Sequence, residues 1–192
     1  VVFAIEHGWM GIEALSGIPG SVGAAPVQNI GAYGQELAET LASVRVYDRA
    51  EERTRTLFLS DMKFGYRDSI LKRSMGEFGA SPRWVVLSVD LHMRRATLSR
   101  PVSYVQLANK LDIELGKRAP SADVRAAVLE LRRSKGMVLD DSDRDTYSLG
   151  SFFTNPVLTE KEAEHLPVSA PRFGVAKHDA VNQIGSAAPM IE

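Results

Sequence analysis

Apolar residues recur along this chain at two different spacings, and the places where the spacing changes mark its elements. Val2, Ile5, Trp9 and Ile12 fall on one face at helical spacing, which predicts a short helix within residues 1–15, with Gly8 and Gly11 as weak points. Periodicity stops from Ser16 to Gly34, where glycines stand at 17, 20, 23, 31 and 34 and prolines at 19 and 26. That density predicts a compact loop with short helical pieces. Leu41–Tyr47 and Thr54–Leu59 are rich in β-formers and flank the polar run Asp48–Arg53, which predicts a hairpin. In Trp84–Met93 a strand is predicted with Val85, Leu87, Val89, Leu91 and Met93 on one face and Val86, Ser88, Asp90 and His92 on the other. Tyr104–Leu111 predicts a short helix. The strongest helical signal is Ser121–Ser134, with Ser121 as its N-cap after Pro120, Asp123 in its first turn, and Val124, Val128 and Leu131 on its apolar face. Arg132, Arg133 and Lys135 crowd its end and Gly136 offers a stop. Past Pro156 the signals weaken.

Strands and helices mixed in this way predict an α+β chain. Its 44% hydrophobic and 24% charged residues suit a folded domain of ordinary size, or two small ones. A net charge of −1 with both signs interspersed argues against a nucleic-acid or membrane-surface protein, yet is compatible with one small anionic ligand. With no cysteine, disulfides, thiolate zinc sites and thiol catalysis are excluded. No apolar run has the length of a membrane span. The dispersed His7, His92, His165 and His178 lack metal-site spacing, so no metal is expected. The chain opens on Val1 and stops at Glu192 within a run that could be helical, and both ends are expected to lie inside a longer protein.

Three segments could carry chemistry. Gly17-Ile18-Pro19-Gly20-Ser21-Val22-Gly23-Ala24-Ala25-Pro26, leading to Gln28-Asn29-Ile30-Gly31-Ala32-Tyr33-Gly34, could turn tightly and offer backbone N–H groups to an anion. It fits neither a dinucleotide fingerprint nor a phosphate-binding P-loop, and taken alone reads more readily as a tight structural loop. Arg67, in Lys63-Phe64-Gly65-Tyr66-Arg67-Asp68-Ser69, could fork onto a carboxylate or phosphate; alone, it reads as a surface arginine paired with Asp68 or another acid. Ser151, in Gly150–Pro156, could donate a proton from a dry pocket, or simply cap a turn beside Phe152 and Phe153. Tyr104 and Lys135 have ordinary readings as a half-buried tyrosine and a solvated helix end.

Together the segments resemble one family. LSGIPGSVGAAPVQNIGAYGQEL (Leu15–Leu37), FGYRDS (Phe64–Ser69), RSKGMVL (Arg133–Leu139) and GSFFTNP (Gly150–Pro156) are similar, in order and spacing, to the landmarks of the UDP-N-acetylenolpyruvoylglucosamine reductases. The resemblance covers residues 1–156 and fades beyond. It implies an FAD-binding subdomain of the vanillyl-alcohol-oxidase type over residues 1–133, lacking its N-terminal part. A substrate-binding domain would occupy 134–192, lacking its C-terminal part. It implies NADPH- and FAD-dependent reduction of UDP-N-acetylglucosamine enolpyruvate to UDP-N-acetylmuramate, a cytoplasmic step of peptidoglycan precursor synthesis. Ser151 would protonate the carbanion-like intermediate and Arg67 would polarise the substrate carboxylate. Tyr104, the mark of the subclass with a closing loop, Lys135 and Asn155 would contact substrate. Gly17, Ile18, Pro19, Gly20, Ser21, Gly23, Ala24, Ala25, Gln28, Asn29, Ile30, Gly31 and Tyr33 would line the flavin. The family's glycine-rich pyrophosphate loop and its glutamate partner of the serine have no counterpart here, so these 192 residues alone are expected to be inactive. The alternatives are a non-catalytic remnant and another oxidoreductase of the same flavin superfamily.

Overall fold

A computed structural model describes residues 1–76, 81–148, 150, 153–170, 172–174 and 189–190. Its central feature is a three-stranded antiparallel sheet in the order β5-β4-β6, built from β4 (Leu41–Asp48), β5 (Arg53–Phe58) and β6 (Trp84–Leu91). The predicted hairpin is present, with Asp48 paired to Arg53 across its turn. Leu41, Val44 and Val46 face inward with Leu57 and Trp84. They pack on Met62 of α2 (Leu59–Met62) and on Leu71 of α3 (Ile70–Arg73), where apolar side chains leave water. A second cluster joins Leu107 and Ala108 of α4 (Val105–Lys110) to Val124, Ala127 and Val128 of α5 (Ser121–Arg133).

Sequence and structure differ at three places. The N-terminal helix α1 is only Val2–Glu6, and Ala4 is its buried residue. The chain then reverses into β1 (Trp9–Met10), which pairs with the distant β7 (Arg94–Arg95). The alternation predicted for β6 holds only in part. Arg45 pairs with Ser88 and Val46 with Val86, so Leu87 is an extra residue on β6. Such a bulge shifts the pleat by one residue: Trp84 and Val86 point inward before it, Val89 and Leu91 after it, and Val85 and Leu87 are exposed. Finally, Ser121 is the first helical residue of α5 rather than its cap. Pro120 holds the cap position, and the buried Ser121 hydroxyl has no partner among the described residues. The far end of α5 closes as expected, with the Gly136 and Met137 amides donating to the Arg133 and Arg132 carbonyls.

The glycine-rich stretch is the predicted loop with short helical pieces. The Val22–Ala24 turn rests on β6 beside Val86. The stretch ends in a small hairpin of β2 (Gly31–Ala32) and β3 (Gln35–Glu36), joined by Tyr33 and Gly34 alone, both at positive φ (49° and 80°). Two such residues make the mirror-image turn that suits strand twist. A Cβ at Gly34 would collide with Ser103 Oγ. Gly34→Ala is expected to cost about 1–2 kcal/mol from left-handed backbone strain, measured by urea unfolding. A loss below ~0.3 kcal/mol would show that the turn relaxes freely.

Among the described residues no helix is long and apolar enough to cross a membrane, and no group of acidic and histidine side chains could hold a metal ion.

Candidate functional site

The Phe64–Ser69 segment folds around a tight turn. Gly65 and Asp68 exchange backbone hydrogen bonds at 3.1 and 3.2 Å, leaving Tyr66 and Arg67 at the tip. Ser69 caps α3, its Oγ accepting from the Lys72 amide at 3.1 Å. Asp68 pairs with Arg73, not with Arg67. Arg67, at φ +50°, instead turns toward the glycine-rich loop. Its Nη2 donates to the Gly31 carbonyl at 2.7 Å. Its Nη1 donates to the Asn29 carbonyl at 3.2 Å and lies 3.4 Å from the Glu36 carboxylate. The Tyr66 ring stacks beneath the guanidinium, its centroid 5.1 Å away.

Asn29 explains why the loop holds this shape. It is fully buried; its amide donates to Glu36 at 2.8 Å and to the Gly65 carbonyl at 3.3 Å, and its oxygen accepts from the Ala38 amide at 2.9 Å. One side chain thus ties together the loop, the small hairpin and the arginine turn.

These pieces enclose a cleft of about 260 Å³. Of the residues singled out in the sequence, Ile18, Pro19, Gln28, Ile30, Gly31, Arg67 and Asn155 line it. Ala25 lies in the core, and Gly23 packs on Val86. Gly20 and Ser21 are exposed on the loop. Tyr33, Tyr104 and Lys135 form a second group: the two rings meet edge to face at 5.5 Å, and Lys135 Nζ lies 5.8 Å from the Tyr33 centroid while donating to Gln106 Oε1 at 3.0 Å. Burial raises the Tyr33 pKa and nearby Tyr104 adds to that, against the lowering effect of Arg132, so its hydroxyl stays protonated at neutral pH. Ser151 lies outside the described residues; Gly150 and Phe153 line the cleft.

Tyr66, Arg132 and Met137 also line it and were not singled out as site residues. Arg132 had a legible signal. It stands four residues after Val128 and eight after Val124, on the buried stripe of α5, where an arginine is out of place unless it serves something. Desolvation lowers its pKa, with Tyr33 opposing, but guanidinium remains charged.

Fold and cleft define a mixed α/β protein with a small depression walled by a glycine-proline loop and two arginines. Comparison with known proteins gives it a family. No family model matches. The chain is 53% identical over 174 residues to the UDP-N-acetylenolpyruvoylglucosamine reductase of Salinispora arenicola (strain CNS-205), covering 91% of this chain and 46% of that protein. It is 52% identical over 162 residues to the reductase of the same name from Thermobifida fusca (strain YX), covering 84% and 44%. Its fold is similar to the crystal structure of UDP-N-acetylenolpyruvylglucosamine reductase from Thermus caldophilus. The TM-score is 0.51 at 20% identity, over 100% of this chain and 56% of that one. Over the stretch it spans, the chain belongs to the UDP-N-acetylenolpyruvoylglucosamine reductase family, and it spans a little under half the length of these two curated relatives.

Proposed function

We propose that the full-length protein carries out the NADPH- and FAD-dependent reduction of UDP-N-acetylglucosamine enolpyruvate to UDP-N-acetylmuramate, in a cytoplasmic setting. The single observation that carries this reading is the cleft itself. The glycine-rich loop and the Arg67 turn, distant in sequence and each resembling a landmark of that family, are joined there by direct hydrogen bonds.

The residues present suit part of a flavin. Ile18, Pro19, Ile30 and Gly31 give an uncharged part of the lining that would lie against a heteroaromatic ring. About 260 Å³ is below the ~300–1,000 Å³ of pockets for drug-sized ligands, so the cleft accommodates one end of a dinucleotide. The bound flavin supplies hydride chemistry. The protein's part is placement and charge. Arg67, fixed on three oxygens, would present a permanent positive charge where an enolate-like charge develops beside a carboxylate. Ser151 would deliver a proton from its hydroxyl, with positioning substituting for acidity. Tyr104, Lys135 and Asn155 would bind substrate; the Tyr33 contacts keep the first two together, and Asn155 lies on the cleft. A boundary near residues 133 and 134, at the end of α5, belongs to the same proposal, as does assigning the sheet-containing part to a vanillyl-alcohol-oxidase-type FAD subdomain.

The test is NADPH oxidation by the full-length protein. Turnover is expected only when the enolpyruvyl sugar is supplied. Equal turnover with unrelated acceptors would favour another flavin oxidoreductase, and none with any acceptor would favour a remnant.

A further inference from the structure

A carboxylate is an odd neighbour for a cation meant to meet an anion, and Arg67 has one. The acid next to it in sequence, Asp68, is taken by Arg73. The Glu36 carboxylate faces Arg67 instead, with Oε1 3.4 Å from Nη1. Its other oxygen, Oε2, accepts from the buried Asn29 amide at 2.8 Å, so the charge is held from behind. A second feature points to the same pair. Gly31 is a strand residue without positive φ, so its backbone does not call for glycine. Space does. A Cβ there would come 2.8 Å from Arg67 Nη1 and 3.0 Å from both Glu36 Cγ and the Gln35 carbonyl oxygen. The bare position lets the two charged side chains meet beside it. Stability alone does not account for the pair. The Arg67 and Glu36 side chains are 24% and 33% exposed, and ion pairs open to water contribute little. Glu36 is also not among the described residues that line the cleft, so any effect it has there passes through a neighbour.

We propose that Glu36 is a positioning residue for Arg67. Anchored by Asn29 and given room by Gly31, its charge holds the guanidinium plane in one orientation, alongside the Gly31 and Asn29 carbonyls. The carbonyls are neutral acceptors. The carboxylate adds the charge-assisted attraction that keeps the cation from turning to follow a ligand. The consequence falls on catalysis more than on binding. A guanidinium free to turn still meets a carboxylate, but not at the angle that the developing charge requires. This rests on the proposed reduction and on the part given there to Arg67.

The test is a double-mutant cycle in the full-length protein, assayed by NADPH oxidation with the enolpyruvyl sugar. Glu36→Gln keeps the shape and removes the charge. It is expected to lower kcat about tenfold, with KM within about twofold of wild type, as for a group turned out of line with the reaction. In an Arg67→Lys background the same change should cost about twofold or less, because an ammonium has no plane to hold. Glu36 also accepts from the Glu39 amide as the cap of the 37–39 turn, and Glu36→Asp separates that duty. Aspartate caps well, but its shorter arm withdraws the charge from Arg67, so kcat should fall here too. If Glu36→Gln does not fold, Glu36→Asp takes its place in the cycle. An unchanged kcat, or an equal loss in both Arg67 backgrounds, overturns the proposal. So does failure of both variants to fold, which would make Glu36 a residue of the fold alone. If wild type shows no turnover, the reductase reading falls and the Arg67 Nη–H signals in ¹⁵N NMR decide this one. Their hindered rotation should quicken in whichever Glu36 variant folds, and an unchanged rate overturns it.

Discussion

Arg67→Lys in the full-length protein is expected to lower kcat by about 10²–10³, the usual loss when one donor to a developing oxyanion is removed. The reason lies in shape more than charge. The guanidinium reaches the Gly31 and Asn29 carbonyls with separate nitrogens while lying against Glu36 and over Tyr66. An ammonium is a point donor; it can serve one of these oxygens but cannot span both carbonyls and hold a plane for the substrate carboxylate proposed to meet Arg67. Because the positive charge remains, the Glu36 contact persists and the chain still folds. Steady-state kinetics should therefore show a fall in kcat with a smaller change in KM, the mark of a contact strengthened in the transition state. Thermal unfolding should move by only a few degrees. A large fall in Tm with kcat unchanged would reduce Arg67 to a tie between two loops.

The parts of the molecule governed by local chemistry were legible in the sequence. The β4–β5 hairpin follows from β-branched runs around a polar turn, and α5 from its apolar stripe and glycine stop. Non-local events were not. Trp9 and Met10 continue a helical spacing on paper, but they pair with Arg95 and Arg94, more than eighty residues away. The extra residue at Leu87 is invisible to a period-two reading, because a bulge is defined by the partner strand. The site divides the same way. The glycine loop and Arg67 could be picked out by residue type, but their joining depends on the buried amide of Asn29. The sequence offers Asn29 only as one more loop residue. Arg132 reads in the sequence as part of a cationic helix end, although its spacing from Val128 already places it on the buried face.

Asp48→Ala is expected to destabilise the chain by about 3 kcal/mol, the low end for breaking a buried ion pair. Asp48 is fully buried at the tip of the β4–β5 hairpin. It accepts two 2.8 Å hydrogen bonds from Arg83 and further ones from the Ala50 and Glu51 amides, with Arg55 3.5 Å away. Arg83 and Arg55 also lie over the Trp84 ring, at 4.4 and 5.8 Å from its centroid, so the carboxylate separates two cations gathered on one indole. Without it the cations repel and the hairpin amides lose their acceptor. The loss stays near the low end because Arg83 is partly exposed and can turn toward Glu51, 3.5 Å away. The Arg83 hydrogen bonds hold the Asp48 carboxyl well below the usual carboxylate range, against the opposing effect of burial. A depressed folded-state pKa stabilises the native state above the unfolded value of about 4. That contribution disappears as pH falls from there through the folded value. Urea unfolding of wild type and Asp48→Asn should therefore differ most at pH 7 and converge as pH drops below about 4. A gap that widens on acidification would reverse the sign and exclude the ion pair as its source. Because the Val22–Ala24 turn rests on β6 of this same sheet, loosening the hairpin should also loosen the loop that walls the cleft. Asp48 variants should then bind cleft ligands more weakly from a position outside the cleft.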